Sequence, residues 1–187
     1  PLTGYPAMTT DYWTKIYTAC KNHGLNHVRF HSWCPPAAAF QVADSMGMYL
    51  QVECGGWTWI GEGKKQDEWF KEEGDRILKE YGNHPSFCML AYGNEPGGDN
   101  QVKYLSELIA HWKQNDDRRL YTSSGGWPFV KNADYYNTDR PRIGGDMSNI
   151  INTSVPRTDY DHRAVICQEM PMLSHEIGQW CVFPNFK

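Results

Sequence analysis

Glu95 and Glu176 are the side chains whose surroundings point most directly to chemistry. Each closes a short apolar run. Phe87–Tyr92 leads into Gly93-Asn94-Glu95 and then Pro96-Gly97-Gly98, and Met170–Leu173 leads into Ser174-His175-Glu176. Apolar runs of this length, bounded by turn residues, read as buried strands of a parallel sheet. An ionised carboxylate avoids burial unless it is paired or put to use. Two strand-end glutamates can divide a reaction between them, one giving a proton and the other attacking carbon or activating water. Two idle surface glutamates would show the same spacing.

The elements that must position these residues alternate along the chain. Asp11–His23 has helical spacing at Trp13, Ile16, Tyr17 and Cys20, with Gly24 as the stop. Leu25–His31 reads as a strand, Pro36–Met46 as a helix closed by Gly47, and Met48–Glu53 as the next strand. Gln66–Tyr81 is a charged amphipathic helix, and the charge run Gly63–Lys79 reads as its solvated face. The Phe87–Tyr92 strand follows. Asn100–Asn115 then carries Val102, Leu105, Leu108, Ile109 and Trp112 on one helical face. Leu120–Ser123 and Pro171–His175 read as strands; Asp134–Asn137 and Arg142–Gly145 are ambiguous, and Val165–Cys167 is apolar.

This alternation predicts an α/β protein with a parallel sheet. A dinucleotide fold wants G-x-G-x-x-G after an early strand, and none occurs. In a (β/α)₈ TIM barrel the active residues project from the C-terminal ends of several strands. Arg29 and His31, Glu53, Asn94 and Glu95, and His175 and Glu176 all fall at strand ends, which favours the barrel. About six strands are legible in 187 residues, and a full barrel takes roughly 250. Gly125–Arg163, rich in Gly, Pro, Asn, Asp and Tyr, reads as extended loops on the active face.

Composition narrows the partners. A net charge of −4 gives no electrostatic support to nucleic-acid binding. Aromatic residues make up 14%, including 8 Trp and 11 Tyr, which suits a pocket that stacks sugar rings, although most such rings pack cores. None of the 6 Cys forms a C-x-x-C pair, and no disulfide framework is expected, although Cys167 and Cys181 could pair. No apolar run approaches the roughly 18 residues of a membrane span. There is no signal-peptide pattern, and the abrupt start at Pro1-Leu2-Thr3 suggests a piece of a longer protein.

Individual residues divide similarly. Strand alternation sends His175 to the face opposite Glu176, so a packed histidine is expected there. His27 and His31 are too far apart along one strand to share an ion, and no metal site is expected. Trp33, Trp57, Trp59, Trp127 and Trp180 follow strands and are candidate sugar platforms.

Asn83-His84-Pro85-Ser86, followed by the strand and Gly93-Asn94-Glu95, closely resembles the acid/base signature of glycoside hydrolase family 2. That family contains β-galactosidases, β-glucuronidases and β-mannosidases. Lys21–His31, Phe40–Glu53 and Met172–Trp180 are similar, in order, to its other strand-end segments, the last carrying the nucleophile. The resemblance covers nearly the whole chain, from the second to the seventh barrel strand. It implies a retaining, exo-acting β-glycosidase with no cofactor, β-sandwich domains upstream, and a periplasmic or secreted location. It implies Glu95 as acid/base and Glu176 as nucleophile. Asn94 would bind the sugar 2-hydroxyl and Arg29 would orient Glu176. His31 and Glu53 would line the pocket, with Trp57, Trp127 and Trp180 around it. A family tyrosine that contacts the nucleophile falls at Tyr135 or Tyr136, with Tyr136 taken as the candidate. His84 takes a structural role. Asn185-Phe186-Lys187 has the letters of the family's uronate-binding triplet but follows Glu176 too soon to match it. The mechanism requires Glu95 protonated and Glu176 ionised in the same pocket.

An endo-acting barrel glycanase and a carbohydrate-binding barrel without turnover remain alternatives. With two strands missing, the piece leaves exposed sheet edges and is not expected to be soluble alone. Carbohydrate is the expected partner, with no nucleic acid or membrane.

Overall fold

The computed structural model describes residues 4–138 and 170–176. Arg142–Gly145, Val165–Cys167, Trp180, Cys181 and Asn185–Lys187 lie outside the described residues. Four helices and six strands are present within them, in the order α1 (Thr10–Asn22), β1 (His27–Arg29), α2 (Ala37–Met46), β2 (Tyr49–Gly56), α3 (Lys65–Tyr81), β3 (Phe87–Gly93), α4 (Gln101–Asn115), β4 (Leu120–Thr122), β5 (Tyr136–Thr138) and β6 (Met172–Ser174).

β1 to β4 form a parallel sheet in chain order, each strand beside the next. A doubly wound sheet reverses its order at a switch point, and a barrel does not. β5 and β6 pair in parallel as a second ribbon. Side-chain and loop bonds attach that ribbon to β4: Asp134 N donates to Tyr121 O at 2.8 Å, and Thr122 Oγ1 to Tyr135 O at 2.7 Å. The result is a run of consecutive strands of a TIM barrel.

Helix boundaries follow local chemistry. Gly47 sits at φ 65° as the left-handed cap of α2, and Met48 N returns to Ala43 O at 3.0 Å. Asp67, in the first turn of α3, accepts from Gly61 N at 3.1 Å and Gly63 N at 2.8 Å. Its anion also faces the positive end of the helix.

The core fills the space between helices and sheet, with Phe40, Leu50, Val52, Leu90, Tyr92, Leu105, Ile109, Trp112 and Tyr121 nearly sealed from solvent. Phe40 stacks on Tyr81 with centroids 4.3 Å apart. A Cβ at Gly74 would lie 2.5 Å from the Trp112 ring, so glycine permits the close approach of α3 and α4. Ile16 and Val102, placed on buried faces by periodicity, are exposed at the margins. Cys54 is buried and Cys88 half-buried, both as free thiols.

Three expectations are corrected. The first strand spans only His27–Arg29, because Phe30 turns inward to pack on Trp13 and Trp33, and Ser32 takes a left-handed φ of 51°. The stretch Asp134–Asn137, left ambiguous by the sequence, overlaps β5, which spans Tyr136–Thr138. His175 does not lie on the face opposite Glu176. β6 ends at Ser174 and Glu176 takes φ 54°, so alternation stops before the two residues and their side chains come to 3.5 Å.

Candidate active site

Arg29 organises the C-terminal ends of the strands. Its Nε donates to Glu53 Oε1 at 2.5 Å, and Nη2 reaches Glu53 Oε2 at 3.3 Å. Nη2 also donates to Asn94 Oδ1 at 2.6 Å. Nη1 donates toward Glu176 Oε1 at 3.4 Å and His175 Nδ1 at 3.3 Å. One guanidinium therefore joins β1 to the ends of β2, β3 and β6. Its planar fork of five donors makes this geometry possible, and a lysine could not reproduce it.

Glu53 lies beneath this fork with no exposed side-chain surface. It also accepts from Ser32 N at 2.7 Å and Gln51 Nε2 at 3.3 Å. Burial pushes its carboxyl above the ordinary value, while the Arg29 hydrogen bond and charge, the Ser32 N–H and His31 pull the other way. Glu53 is thus the counter-ion of Arg29.

Glu95 is fixed through its backbone. Asn94 N donates to Gly56 O at 2.8 Å, and Glu95 N to Gly125 O at 2.9 Å, so β2 and β4 hold the segment from both sides. Glu95 has φ 38°. Ser32, Glu95 and Glu176 are the non-glycine residues with positive φ among the described residues, and all three border this site. Each such conformation costs on the order of 1–2 kcal/mol, and strain of this kind collects at functional positions.

Gly125 and Gly126 form the wall between the two glutamates. A Cβ at Gly125 would lie 2.1 Å from Arg29 Nη2 and 2.9 Å from Asn94 Oδ1. A Cβ at Gly126 would lie 3.1 Å from Glu95 Cγ and 3.2 Å from His175 Nε2. Glu95 and His175 thus press on one point, and His175 touches Glu176. The structure gathers Arg29, Glu53, Asn94, Glu95 and Glu176 into one cluster.

The rim is aromatic. His31 Nε2 is 3.8 Å from Glu176 Oε1, and Trp57 packs edge-on against His31 with centroids 5.1 Å apart. Trp127 Nε1 donates to Pro96 O at 3.0 Å, directly after Glu95. Trp59 rests its indole against Gly97. Trp33 belongs instead to the Trp13–Phe30 cluster. Of the two tyrosines, Tyr135 is buried, and burial pushes its hydroxyl well up, with the charges of Glu53, Arg29 and Asp134 acting on it. Tyr136 is half-buried and lies edge-on to Phe129. Its partner Trp180 in the expected pocket is outside the described residues.

Away from the site, His84 Nδ1 pairs with Asp44 Oδ2 at 2.6 Å and stacks on Phe40, the structural role expected of it. A cleft of about 450 Å³ lined by His84, Phe87, Arg118 and Arg119 opens at the opposite, N-terminal ends of β3 and β4. Among the described residues no group of three or more His, Cys, Asp or Glu side chains is arranged for a metal ion.

Gly125 and Gly126 are site residues that sequence reasoning passed over, and His175 was read as a packing residue rather than a site residue. The Gly125-Gly126 pair just after the expected Leu120–Ser123 strand was a visible signal. The turn that brings His175 inward was not.

Comparison with known proteins agrees with the barrel fold. Residues 5–152 match the family "Glycosyl hydrolases family 2, TIM barrel domain". A β-glucuronidase of Bacteroides fragilis is 29% identical over 113 residues, covering 54% of this chain and 16% of that protein. A putative β-glucuronidase of Formosa agariphila is 29% identical over 113 residues, covering 58% of this chain and 10% of that protein. The chain therefore spans a small part of these relatives. The crystal structure of a Parabacteroides merdae β-glucuronidase superposes with a TM-score of 0.63 at 20% identity, over 74% of this chain and 19% of that one. At that identity the likeness shows the fold.

Proposed function

Because the chain belongs to glycoside hydrolase family 2, we propose that it forms the catalytic core of a retaining β-glycosidase that removes a terminal sugar by double displacement. Glu176 attacks the anomeric carbon while Glu95 protonates the departing oxygen. The bond to the leaving group breaks and a glycosyl ester forms on Glu176. Water then loses a proton to Glu95, attacks the same carbon, and releases Glu176 as carboxylate. Two inversions give net retention.

The observation that carries this reading is the double reach of Arg29, to Asn94 at 2.6 Å and to Glu176 at 3.4 Å. It ties the residue preceding the proposed acid to the proposed nucleophile. The cation faces the carboxylate that must be anionic to attack, and Asn94 is held for a sugar hydroxyl. Nothing comparable is needed by a binding barrel without turnover.

The sugar is a β-linked pyranoside, and the named relatives make a β-glucuronide the first substrate to try. Upstream β-sandwich domains and export from the cytoplasm belong to the same proposal. The test uses the full-length enzyme with aryl β-glucuronide, β-galactoside, β-mannoside and β-glucoside. The first product seen by proton NMR should be the β-anomer. E176G should lose turnover by at least about 10⁴-fold and, with azide, yield the inverted α-glycosyl azide. A first-formed α-anomer, or full activity in E176G, overturns the assignment.

A further inference from the structure

His175 is buried, with only 6% of its surface exposed, between the two glutamates, and its hydrogen-bonding pattern is unbalanced. Arg29 has no acceptor, so at the 3.3 Å contact Nη1 donates and Nδ1 of His175 accepts. The same Nη1 has a second hydrogen for Glu176 Oε1 at 3.4 Å. The two acceptors lie 3.5 Å apart and both face this Nη1. An accepting Nδ1 fixes the neutral ring with its proton on Nε2. That Nε2–H has no hydrogen-bond partner among the described residues. It lies beside Gly126, where a Cβ would be 3.2 Å from Nε2 and 3.1 Å from Glu95 Cγ.

A buried donor without an acceptor is costly, and at a catalytic site an acceptor that arrives in another state is one explanation for it. Resting on the two-glutamate reading, we propose that His175 is a positioning residue for the acid/base, its Nε2–H hydrogen-bonding to the Glu95 carboxylate whenever Glu95 is ionised. Glu95 carries its proton while the substrate waits and loses it as the leaving group departs. Rotation about the Glu95 side chain then brings a carboxylate oxygen to the waiting N–H. The bond holds Glu95 in place to receive a proton from water. No proton passes through His175, because its Nδ1 stays engaged by Arg29.

Among the described residues, the other charged or titratable groups around this point are Arg29 at the end of β1, His31 just after it, Glu53 on β2, Tyr135 before β5, and Glu176. Gly126 is part of the proposed device: with φ 96° and no Cβ, it leaves open the point that both Glu95 Cγ and His175 Nε2 border.

The test replaces His175 in the full-length enzyme and follows kcat/KM against pH. A donor to the carboxylate favours its ionised form, so H175F should move the alkaline limb to higher pH and lower kcat about tenfold. H175Q keeps an N–H and should stay within about threefold of wild type. An unmoved alkaline limb in folded, active H175F overturns the proposal, as does H175Q behaving like H175F. Two readouts need no turnover. Nitrogen-15 NMR of wild type should show the Nε2–H tautomer near neutral pH, and the Nδ1–H tautomer overturns the proposal. Carbon-13 titration of Glu95, assigned with E95Q, should shift upward in H175F, and an unchanged curve overturns it. A wild-type enzyme inactive on every glycoside would instead sink the hydrolase reading, while the two NMR measurements still decide the pairing.

Discussion

Arg29 and Glu53 form an ion pair at 2.5 Å in which the carboxylate is completely withdrawn from solvent. A buried carboxylate left alone is far more costly than the pair is beneficial. R29A should therefore destabilise the first unfolding transition in urea by about 3–5 kcal/mol. R29K keeps a charge but loses the fork to Asn94 and Glu176, so it should recover much of the stability and little of kcat/KM. Equal recovery of both would show that the fork is not used in turnover.

Gly125 leaves no room for a side chain. A Cβ there would fall 2.1 Å from Arg29 Nη2, and the Arg29–Asn94 bond would have to break. G125A should lower kcat/KM by at least about tenfold, because displacement of positioning groups near the reacting centre is expensive. G55A is the control. Its Cβ would meet only Trp69 and Glu73 at ordinary contact distances of 3.5 Å and beyond, and activity should be unchanged.

The parallel sheet was legible because β2 and β3 are apolar runs with polar residues at their ends, and because Gly24, Gly47 and Gly82 mark the ends of α1, α2 and α3. Arg29, Asn94 and Glu95 were legible for the same reason: charged or amide groups at strand ends must be bound or used. The position of His175 was not legible. It depends on a left-handed residue at position 176, and glutamate gives no local signal for that conformation. β5 was blurred because its Tyr-Asn-Thr is short and polar, and its place is set by bonds to Tyr121 and Thr122 rather than by its own pattern. Phe30 was read as strand, yet its ring is claimed by Trp13 and Trp33 in the aromatic cluster beside α1.

Asp44 gives the fold a pH dependence of known sign. Burial pushes its carboxyl up, but hydrogen bonds from Ser86 and His84, together with the His84 charge, hold it below the ordinary value. A depressed folded value means that the stabilisation is complete above the unfolded carboxyl range, near pH 3.9, and is lost as pH falls through the folded value. D44N should cost about 1–3 kcal/mol at pH 7 and progressively less in acid. A deficit as large at pH 3 as at pH 7 would show that the charge on Asp44 contributes nothing.

Trp57 is 63% exposed and reaches the site through its ring contact with His31. A ring that packs no core should be removable without loss of stability. W57A should melt within a degree or two of wild type and raise KM several-fold, since ring stacking on a bound ligand is worth about 1 kcal/mol. A large drop in melting temperature would place the ring in a structural role.

Glu95 can be separated from Glu176 by the dependence on leaving group. General-acid assistance matters in proportion to the basicity of the departing oxygen. E95A should therefore barely slow ester formation from a dinitrophenyl glycoside, whose phenolate leaves unprotonated, and slow a methyl or sugar leaving group by about 10²–10⁴-fold. Hydrolysis of the ester still lacks its base, so the dinitrophenyl substrate should give a burst followed by slow steady turnover. Azide attacks that ester without needing a base, and it should restore turnover with retained β-configuration, opposite to its product with E176G. Equal losses for both leaving groups, with no burst and no azide effect, would assign the acid to a residue other than Glu95.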